Sequence, residues 1–231
     1  MDKASSRKEE LGKKYGIDFD KLEKEQTKLA KGIETKDKIP LSEMERFGAF
    51  DTFFIKNKIL SCCIVCDKNY EIIDQAYIID KIRFPYVPGF RNYRELPAMM
   101  AAFEKLNEKP DVMFISAQGI IHPRLGLASH FGLASGMPTI GISDMVIDCE
   151  VEEKKDGKEI LKGGKKVGKV LIGKEGSSPL YVSPGNHISV KTAYDIAKKL
   201  ILPPHKRPEP LHIASKYLKK VKEEIIHEIT Q

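Results

Sequence analysis

The sequence lacks any apolar stretch long enough to cross a membrane, and its N-terminus lacks the apolar core of a secretion signal. A spanning helix needs about 18 or more consecutive apolar residues, and no such run occurs among the 231 residues. The first residues are instead charged and polar, which argues against secretion. Internal repeats and low-complexity tracts are also absent. These absences predict a cytoplasmic protein that does not associate with membranes.

Cysteine is scarce, with four residues at positions 62, 63, 66 and 149. Cys62 and Cys63 lie within the apolar run 59–66, where cysteine behaves as a small buried hydrophobic residue. A cysteine zinc site needs outward-facing pairs with turn geometry, and the sequence offers none. We therefore expect reduced thiols in an intracellular protein that does not bind zinc.

Length and composition are those of one ordinary globular domain. Hydrophobic residues make up 41% of the sequence and charged residues 31%, which is too apolar for a disordered chain and sufficient for a sizeable core. We expect residues 1–17 to form a flexible N-terminal segment, residues 18–231 to form a single domain, and the protein to be a monomer.

Positive charge exceeds negative charge, and the excess is concentrated in one segment. The formal net charge is +6, and residues 154–174 contain eight lysines against the two acids Asp156 and Glu159. Such a cluster either contacts phosphates, which would make binding salt-dependent, or forms a solvated surface hairpin. Both interpretations remain open from the sequence.

Three β-branched and aromatic runs in the first half of the chain predict an antiparallel meander. They cover 47–55, 59–66 and 71–84, and short polar turns separate them. Before them, from Asp18 to Ile33, apolar residues recur at alternating spacings of three and four, which predicts one amphipathic helix.

Alternating helix and strand patterns follow the meander. The predicted elements are a helix around 96–106, a strand at 111–116, a helix at 125–136 and a strand at 139–143. Two β-leaning pieces flank Gly163-Gly164, which is a hairpin signal. A short strand at 180–182 then leads into a turn at 183–185, and two further helices begin near Ser189 and Ile213.

Three short motifs occur in a fixed order along the chain. Residues 84–89 read FPYVPG and are followed by Arg94-Glu95, residues 118–124 read QGIIHPR, and residues 138–141 read PTIG. Folding is expected to bring these turns, one acid and one histidine to the same end of a sheet.

This ordered set resembles the endonuclease V family, the metal-dependent nucleases that cut near deaminated adenine, over about residues 20–220. The resemblance implies a ribonuclease H-like α/β fold. In that fold three antiparallel strands and then parallel strands form a central mixed sheet, which is flanked by helices.

The resemblance also implies which residues are catalytic. Asp51, near the end of the first strand, would bind Mg²⁺ or Mn²⁺, which neutralises the phosphate and activates water. Glu95 would be a second active-site acid, although a glutamate in a first helical turn is also common for the helix dipole alone. His122 would lie close to the scissile phosphate.

Two positions depart from the family pattern. Ser116 stands where relatives have a metal-binding aspartate, and Asp144 stands where they have a lysine. Because a neutral hydroxyl is a poorer ligand than a carboxylate, we expect reduced metal affinity. Three explanations are open: catalysis is lost, Asp144 completes a shifted cluster with Asp51 and Glu95, or the substrate differs.

The resemblance places nucleic-acid contacts in two turns. Pro85, Tyr86, Val87 and Pro88 would form a rigid wedge that fills the space left by a base turned out of the duplex; the alternative is a buried tyrosine in a structural turn. The base pocket would be formed by Gly89, Gln118, Gly119 and Ile120. Arg124 would contact phosphate or simply begin a helix.

The leading interpretation is therefore a protein that recognises inosine or lesions in DNA or RNA and hydrolyses a nearby phosphodiester with Mg²⁺ or Mn²⁺. The alternative is a catalytically impaired nucleic-acid-binding paralogue, because of Ser116 and Asp144.

Overall fold

The chain folds into nine strands and six α-helices in a computed structural model that describes the backbone of residues 3–230 and the side chains of residues 7–225. The strands are β1 Phe47–Ile55, β2 Lys58–Cys66, β3 Ile72–Lys81, β4 Val112–Ile115, β5 Thr139–Ser143, β6 Glu150–Lys154, β7 Gly157–Lys162, β8 Lys165–Leu171 and β9 Leu180–Asn186. The helices are α1 Lys3–Tyr15, α2 Phe19–Ala30, α3 Arg91–Glu104, α4 Leu127–Ser135, α5 Val190–Lys199 and α6 Glu209–Thr230.

All nine strands belong to one mixed sheet with the order β3-β2-β1-β4-β5-β9-β8-β7-β6. The meander β1–β2–β3 is antiparallel throughout, as the sequence predicted. Strands β1, β4 and β5 run parallel; helix α3 leads from the end of the meander into β4, and helix α4 joins β4 to β5. The carboxyl ends of these three strands therefore meet at one edge of the sheet, where the motif segments lie.

Helices cover both faces of the sheet, and the strand residues alternate between the two sides. Met113 and Ile115 face the layer of α3 and α4, where they pack with Phe131. Val112 and Phe114 face the opposite layer, which contains α5 and the start of α6. The predicted fold class, a central mixed sheet flanked by helices, is confirmed.

The segment Ser183-Pro184-Gly185 is part of strand β9, so the predicted turn there is wrong. Strand β9 pairs with β5, and a bulge in the pairing places Pro184 opposite Ile140 and Asn186 opposite Thr139. Proline and glycine are tolerated inside a sheet at such a bulge. The Pro184 carbonyl also accepts a hydrogen bond from the amide of Ile120, at 2.9 Å, which ties the strand to the motif turn.

The basic segment forms three strands rather than the two predicted pieces. The turn at Gly163-Gly164 joins β7 and β8, and both glycines have positive φ, 55° and 73°, which L-residues with side chains rarely adopt. A second turn, at Lys155-Asp156, joins β6 and β7, and Gly157 directly after it has a φ of 105°. The sequence carried a hairpin signal here, Asp156-Gly157, and the prediction missed it.

Residues 3–15 form helix α1, whereas the sequence predicted a flexible segment over residues 1–17. Leu11 and Ile17 pack against the cluster of Phe19, Val87 and Phe90. Lys8 donates a hydrogen bond of 2.8 Å to Glu23 on α2. The helix was missed because these contacts come from other parts of the chain, α2 and the loop before α3. The boundary of the domain at residue 18 stays a prediction.

Within the described part of the chain, no helix is long and apolar enough to cross a membrane.

Candidate active site

Two adjoining cavities lie at the sheet edge where β1, β4 and β5 end. The loop cavity, of about 480 Å³, is lined among others by Tyr86, Val87, Pro88, Gly89, Gln118 and His122. The carboxylate cavity, of about 510 Å³, is lined among others by Asp51, Arg207, His205, His212 and Ser215. Ser116 and Asp144 line both cavities, because they directly follow the neighbouring parallel strands β4 and β5.

The turn after β4 packs so closely on β5 that only glycine fits at the crossing. A Cβ atom on Gly141 would lie 2.5 Å from the Gly119 nitrogen and 2.6 Å from the Ala117 oxygen, both backbone atoms. The Gly119 amide donates to the Ser183 hydroxyl at 3.1 Å. Strands β5 and β9 therefore hold the floor of the loop cavity in place.

Asp51 lies on the side of β1 that faces α6. It lines the carboxylate cavity with Ser215 of α6, and its carboxylate accepts a hydrogen bond of 2.9 Å from the Thr52 amide. Burial raises the pKa of Asp51, and this outweighs the lowering by hydrogen bonding from Ser215 and Thr52 and by the charges of Arg207 and Arg91. Asp51 is thus a half-buried acid beside a cationic group.

Glu95 is a buried residue of α3, the helix that covers the other face of the sheet. Its side chain is 4% exposed and forms an ion pair with Arg91, one turn earlier on the helix. The guanidinium donates to both carboxylate oxygens, at 2.6 and 2.9 Å. The Thr52 hydroxyl donates to Glu95 at 3.3 Å. Because successive strand residues point to opposite faces, Asp51 faces α6, whereas its neighbour Thr52, which contacts Glu95, faces α3.

Arg207 holds the two positions at which the chain departs from the family pattern. Its guanidinium donates to the Ser116 hydroxyl at 3.2 Å and forms an ion pair with Asp144. Arg91 also donates to the Ser116 carbonyl, at 2.9 Å. Two arginines therefore bring positive charge to the edge where the family pattern predicts a cation.

The ligand atoms of Asp51, Glu95 and Asp144 do not all lie within 4.8 Å of one another, and their role as metal ligands stays a prediction. Among the described residues, the only three metal-binding side chains whose ligand atoms all lie within 4.8 Å of one another are elsewhere. Glu95 and Asp144 are each paired with an arginine, and Ser116 offers only a neutral oxygen. Mg²⁺ is commonly held by one or two carboxylates together with water and substrate phosphate, so an ion here would rely on Asp51 and would compete with Arg207 for Asp144.

His122 lies in the wall of the loop cavity as a neutral imidazole. Its Nδ1 accepts a hydrogen bond of 3.1 Å from the Arg124 amide, which requires that nitrogen to be unprotonated. Burial and the positive charges of Arg124 and Lys162 lower the pKa of His122 to about 4. A neutral histidine can still form a hydrogen bond near a phosphate, but it adds no positive charge at neutral pH.

Acidification should destabilise the protein through His122. In the unfolded chain this side chain binds a proton near the ordinary histidine pKa of 6.5, and in the folded chain it binds one only near 4. Falling pH therefore favours the unfolded state, and the loss grows from pH 6.5 down to pH 4. After a discount for partial exposure we expect a contribution on the order of 2 kcal/mol.

The comparison that isolates this effect is urea unfolding of wild type and His122→Gln between pH 4 and pH 7. The variant should lose less stability over this range than wild type does. Equal pH dependence in both proteins would contradict the assigned imidazole state.

The segment 85–88 projects from the surface, with Tyr86 60% exposed at the rim of the loop cavity. The alternative of a buried tyrosine is therefore wrong for this side chain. Val87, in contrast, is buried against Phe19 and Phe90 and anchors the loop. The contact of this loop with nucleic acid stays a prediction.

A buried glutamine network supports the loop from below. Gln26 of α2 is fully buried and donates to the Gly89 carbonyl at 2.9 Å and to Asn92 at 3.2 Å. Arg124 donates to the Gln26 side-chain oxygen at 2.6 Å, and its guanidinium lies over the Phe90 ring at 5.0 Å. Arg124 is thus engaged in positioning the loop, and its role as a phosphate contact stays a prediction.

Several lysines of the basic segment have partners within the protein. Lys162 donates to the carbonyls of His122 and Pro123, at 2.6 and 3.1 Å. Lys169 is buried, donates to the Asp156 carbonyl and lies over the Tyr194 ring. Lys154, Lys158 and Lys166 form ion pairs with nearby glutamates. The local excess of charge is therefore smaller than the lysine count suggests.

Sequence reasoning missed the roles of Arg207, Arg91 and Gln26. The segment Arg207-Pro208-Glu209-Pro210 predicts only a structural turn, and nothing in it indicates a contact with Ser116. The available signal for Arg91 was its spacing of four residues before Glu95, which predicts an ion pair on a helix. Gln26 carried a signal too, because it occupies an apolar-face position of α2.

The mixed sheet with acids near the ends of its parallel strands defines an α/β protein of the ribonuclease H-like class. Crystal structures of this class align with most of the chain. The Bacillus subtilis endonuclease V has a TM-score of 0.82 at 24% identity, and covers 92% of this chain and 95% of its own. The Ciona intestinalis endonuclease V, in complex with a 24mer DNA containing an inosine followed by a ribo-adenosine, has a TM-score of 0.73 at 22% identity and covers 90% of this chain and 98% of its own.

Sequence comparison identifies the family. The family model of Endonuclease V matches residues 27–216. The Thermosipho melanesiensis endonuclease V is 36% identical over 196 residues, which is 82% of this chain and 86% of that protein. The Archaeoglobus fulgidus endonuclease V is 32% identical over 212 residues, which is 90% of this chain and 96% of that protein. The chain belongs to the endonuclease V family, which confirms the resemblance seen in the motifs.

Proposed function

We propose that this chain recognises inosine or another lesion in DNA or RNA. We also propose that its metal-dependent cleavage is impaired, because the metal site of the family is altered at Ser116 and Asp144. The observation that carries the proposal is the contrast between the two cavities. The loop cavity keeps its projecting Tyr86, while Arg207 holds both Ser116 and Asp144 at the carboxylate cavity. A monomeric state and a cytoplasmic location stay predictions from the sequence.

Recognition is supported by the shape and stiffness of the loop. Pro85 and Pro88 restrict the backbone on both sides of Tyr86, so the ring loses little conformational freedom when it enters a stack of bases. The base that it displaces turns into an enclosed space, and a cavity of about 480 Å³ adjoins the ring. Inosine-containing DNA in the Ciona intestinalis structure supports this class of ligand.

Removal of the Tyr86 ring tests the recognition step. Stacking on an aromatic side chain contributes about 1–3 kcal/mol per base, so Tyr86→Ala should weaken binding by roughly 10- to 100-fold. Fluorescence anisotropy with inosine-containing and matched adenosine-containing strands, in EDTA and at fixed salt, measures this directly. Strands of DNA and RNA should be compared, single and double.

Two control variants accompany this experiment. Tyr86→Phe retains the ring and should bind almost as wild type does, and Tyr77→Ala removes another exposed tyrosine, from β3, and should have no effect. The recognition proposal would be rejected if wild type bound inosine and adenosine strands equally well, or if Tyr86→Ala and Tyr77→Ala behaved alike.

Impaired cleavage follows from the charges at the carboxylate cavity. Asp51 and Asp144 are the acids of the predicted cluster that line this cavity. Among the described residues, Asp144 and Glu95 each form a salt bridge with an arginine, whereas Asp51 does not. Arg207 competes with a cation for the same oxygens of Ser116 and Asp144. Removing positive charge and restoring a carboxylate should therefore favour metal binding and cleavage.

We expect Ser116→Asp to cleave an inosine-containing strand at least about 100-fold faster than wild type with Mg²⁺ or Mn²⁺, because metal catalysis contributes several kcal/mol. Ser116→Asn has the same shape without the charge and is the matched control. Because an aspartate at this position would also meet Arg207, the variant should be measured alone and with Arg207→Ala. A nicking assay on labelled strands reports the rate.

A second candidate function is metal-dependent cleavage by the wild-type chain. The observation in its favour is that Asp51 and Asp144 line one open cavity together with Ser116. Cleavage of inosine-containing strands by wild type at a rate close to that of Ser116→Asp would establish this function. It would also reject the impaired-cleavage part of our proposal while leaving recognition intact.

A further inference from the structure

Three side chains at the start of α6 converge outside the predicted active-site cluster. The ligand atoms of His205, Glu209 and His212 all lie within 4.8 Å of one another. Across the residues that the structure describes, no other three histidine, cysteine or acidic side chains meet this criterion. The sequence motifs did not predict this cluster.

The spacing of the three residues explains why they meet. Glu209 and His212 are three residues apart on the first turn of α6 and therefore share one face of the helix. His205 lies in the turn before the helix, where its amide donates to the Leu202 carbonyl at 2.8 Å. The Glu209 amide donates to the Leu200 carbonyl, also at 2.8 Å, which fixes the start of α6 against the end of α5.

The contacts within the cluster place three donor groups around one point. The Nδ1 atom of His205 lies 2.6 Å from a carboxylate oxygen of Glu209, and the rings of His205 and His212 stack with centroids 3.6 Å apart. The Glu209 side chain is only 11% exposed. The cluster therefore offers one charged oxygen ligand, from a nearly buried carboxylate, and two imidazole nitrogen ligands.

Two imidazoles and one carboxylate suit a divalent transition metal better than Mg²⁺, which prefers oxygen ligands. Zinc binds such ligands at about 2.0–2.2 Å, so neighbouring ligand atoms lie roughly 3.4 Å apart in a tetrahedral site. The observed spread of up to 4.8 Å needs only side-chain adjustment to reach this spacing. A metal ion would replace the hydrogen bond between His205 and Glu209.

The surroundings leave room for a ligand beyond these three. His205 and His212 line the carboxylate cavity of about 510 Å³, together with Asp51 and Arg207. Three protein ligands with an open position are typical of zinc sites that bind water or a substrate, whereas four protein ligands are typical of purely structural sites.

We propose that His205, Glu209 and His212 form a binding site for one divalent transition metal ion, of the Zn²⁺ class, that opens to the carboxylate cavity. This site is distinct from the Mg²⁺ position implied by the family pattern, and it does not depend on the proposed recognition of inosine. The competing explanation is that the hydrogen bond between His205 and Glu209 only stabilises the start of α6.

The test is metal titration of the full chain without a polyhistidine tag, after treatment with a chelator. Co²⁺ is the probe, because its visible absorption reports nitrogen and oxygen coordination, and displacement by Zn²⁺ gives the affinity for zinc. His205→Ala and His212→Ala each remove one ligand. His187→Ala removes a partly exposed histidine outside the cluster and is the matched control. Asp51→Asn tests whether the ion is held at the family position instead.

The proposal predicts one Co²⁺ per chain, displaced by Zn²⁺ and not by Mg²⁺. Both ligand variants should lose at least about 100-fold in affinity, since changes that only disturb the orientation of a ligand already cost 10–100-fold. His187→Ala should bind as wild type does, and Asp51→Asn should still bind one Co²⁺ per chain. Thermal unfolding of the metal-free variants should match metal-free wild type within a few degrees, which separates lost ligation from lost folding.

Three results would overturn the proposal. The first is that wild type binds no Co²⁺ at micromolar concentrations. The second is that either histidine variant binds Co²⁺ as tightly as wild type does. The third is that Asp51→Asn abolishes binding. None of these results depends on a cleavage assay, so the outcome is separate from that of the proposed function.

Discussion

Replacing Phe131 by alanine is expected to lower the free energy of unfolding by about 3–5 kcal/mol. Phe131 of α4 is fully buried between the sheet and α3. Its ring meets those of Phe50 and Phe103 edge-on, with centroids 5.0 and 5.4 Å apart. Truncation removes these contacts and leaves a cavity that the surrounding strands and helices cannot close.

Urea unfolding followed by circular dichroism measures this loss, and the melting temperature should fall by roughly 10 °C for a chain of this size. Ile172→Ala is the control, because Ile172 is 59% exposed and its truncation should change stability by less than about 0.5 kcal/mol. A loss below about 1 kcal/mol for Phe131→Ala would contradict the packing of α3 and α4 on the sheet.

Replacing Arg91 by methionine should cost about 3 kcal/mol or more, because it leaves the carboxylate of Glu95 buried without its charged partner. Methionine retains most of the apolar stem, so the change reports the guanidinium. Glu95 is 4% exposed and receives both short hydrogen bonds, of 2.6 and 2.9 Å, from Arg91. The Thr52 hydroxyl, at 3.3 Å, is a weak substitute.

A surface pair of the same spacing provides the control. Lys191 and Asp195 of α5 are also four residues apart and lie 2.6 Å from each other, but the lysine side chain is 85% exposed. Lys191→Met should therefore cost less than about 0.5 kcal/mol. The variant carrying both Arg91→Met and Glu95→Gln should recover at least half of the loss, since it removes the unpaired charge. Equal losses for Arg91→Met and Lys191→Met would contradict the burial of Glu95.

The strands and helices that carry the motifs were predicted well from local patterns. Strand β5 was predicted at the residues where it occurs, and the meander β1–β3 was predicted within a few residues of its ends. These segments combine a clear periodicity with turn residues at both ends, which is the information that a sequence states locally. Prediction failed at Pro184, because only the pairing with β5 creates the bulge that admits a proline into the strand.

The candidate site was predicted only in part for the same reason. The positions of Tyr86, His122 and Ser116 at one sheet edge follow from parallel strands that end together. The side of β1 to which Asp51 points was not predicted, nor was the arginine that meets Ser116. Motif resemblance assigned residues to a site, but it did not say which of their charges the fold would neutralise.

The sequence by itself determined the order of the elements, the projecting proline-flanked loop and the two departures from the family pattern, because each depends on residues close together in the chain. Only the tertiary structure decided the partners of those residues. Arg207 reaches Ser116 across 91 positions, and Arg124 reaches Gln26 across 98. Such contacts depend on the packing of whole helices against the sheet, so local residue patterns carry no record of them.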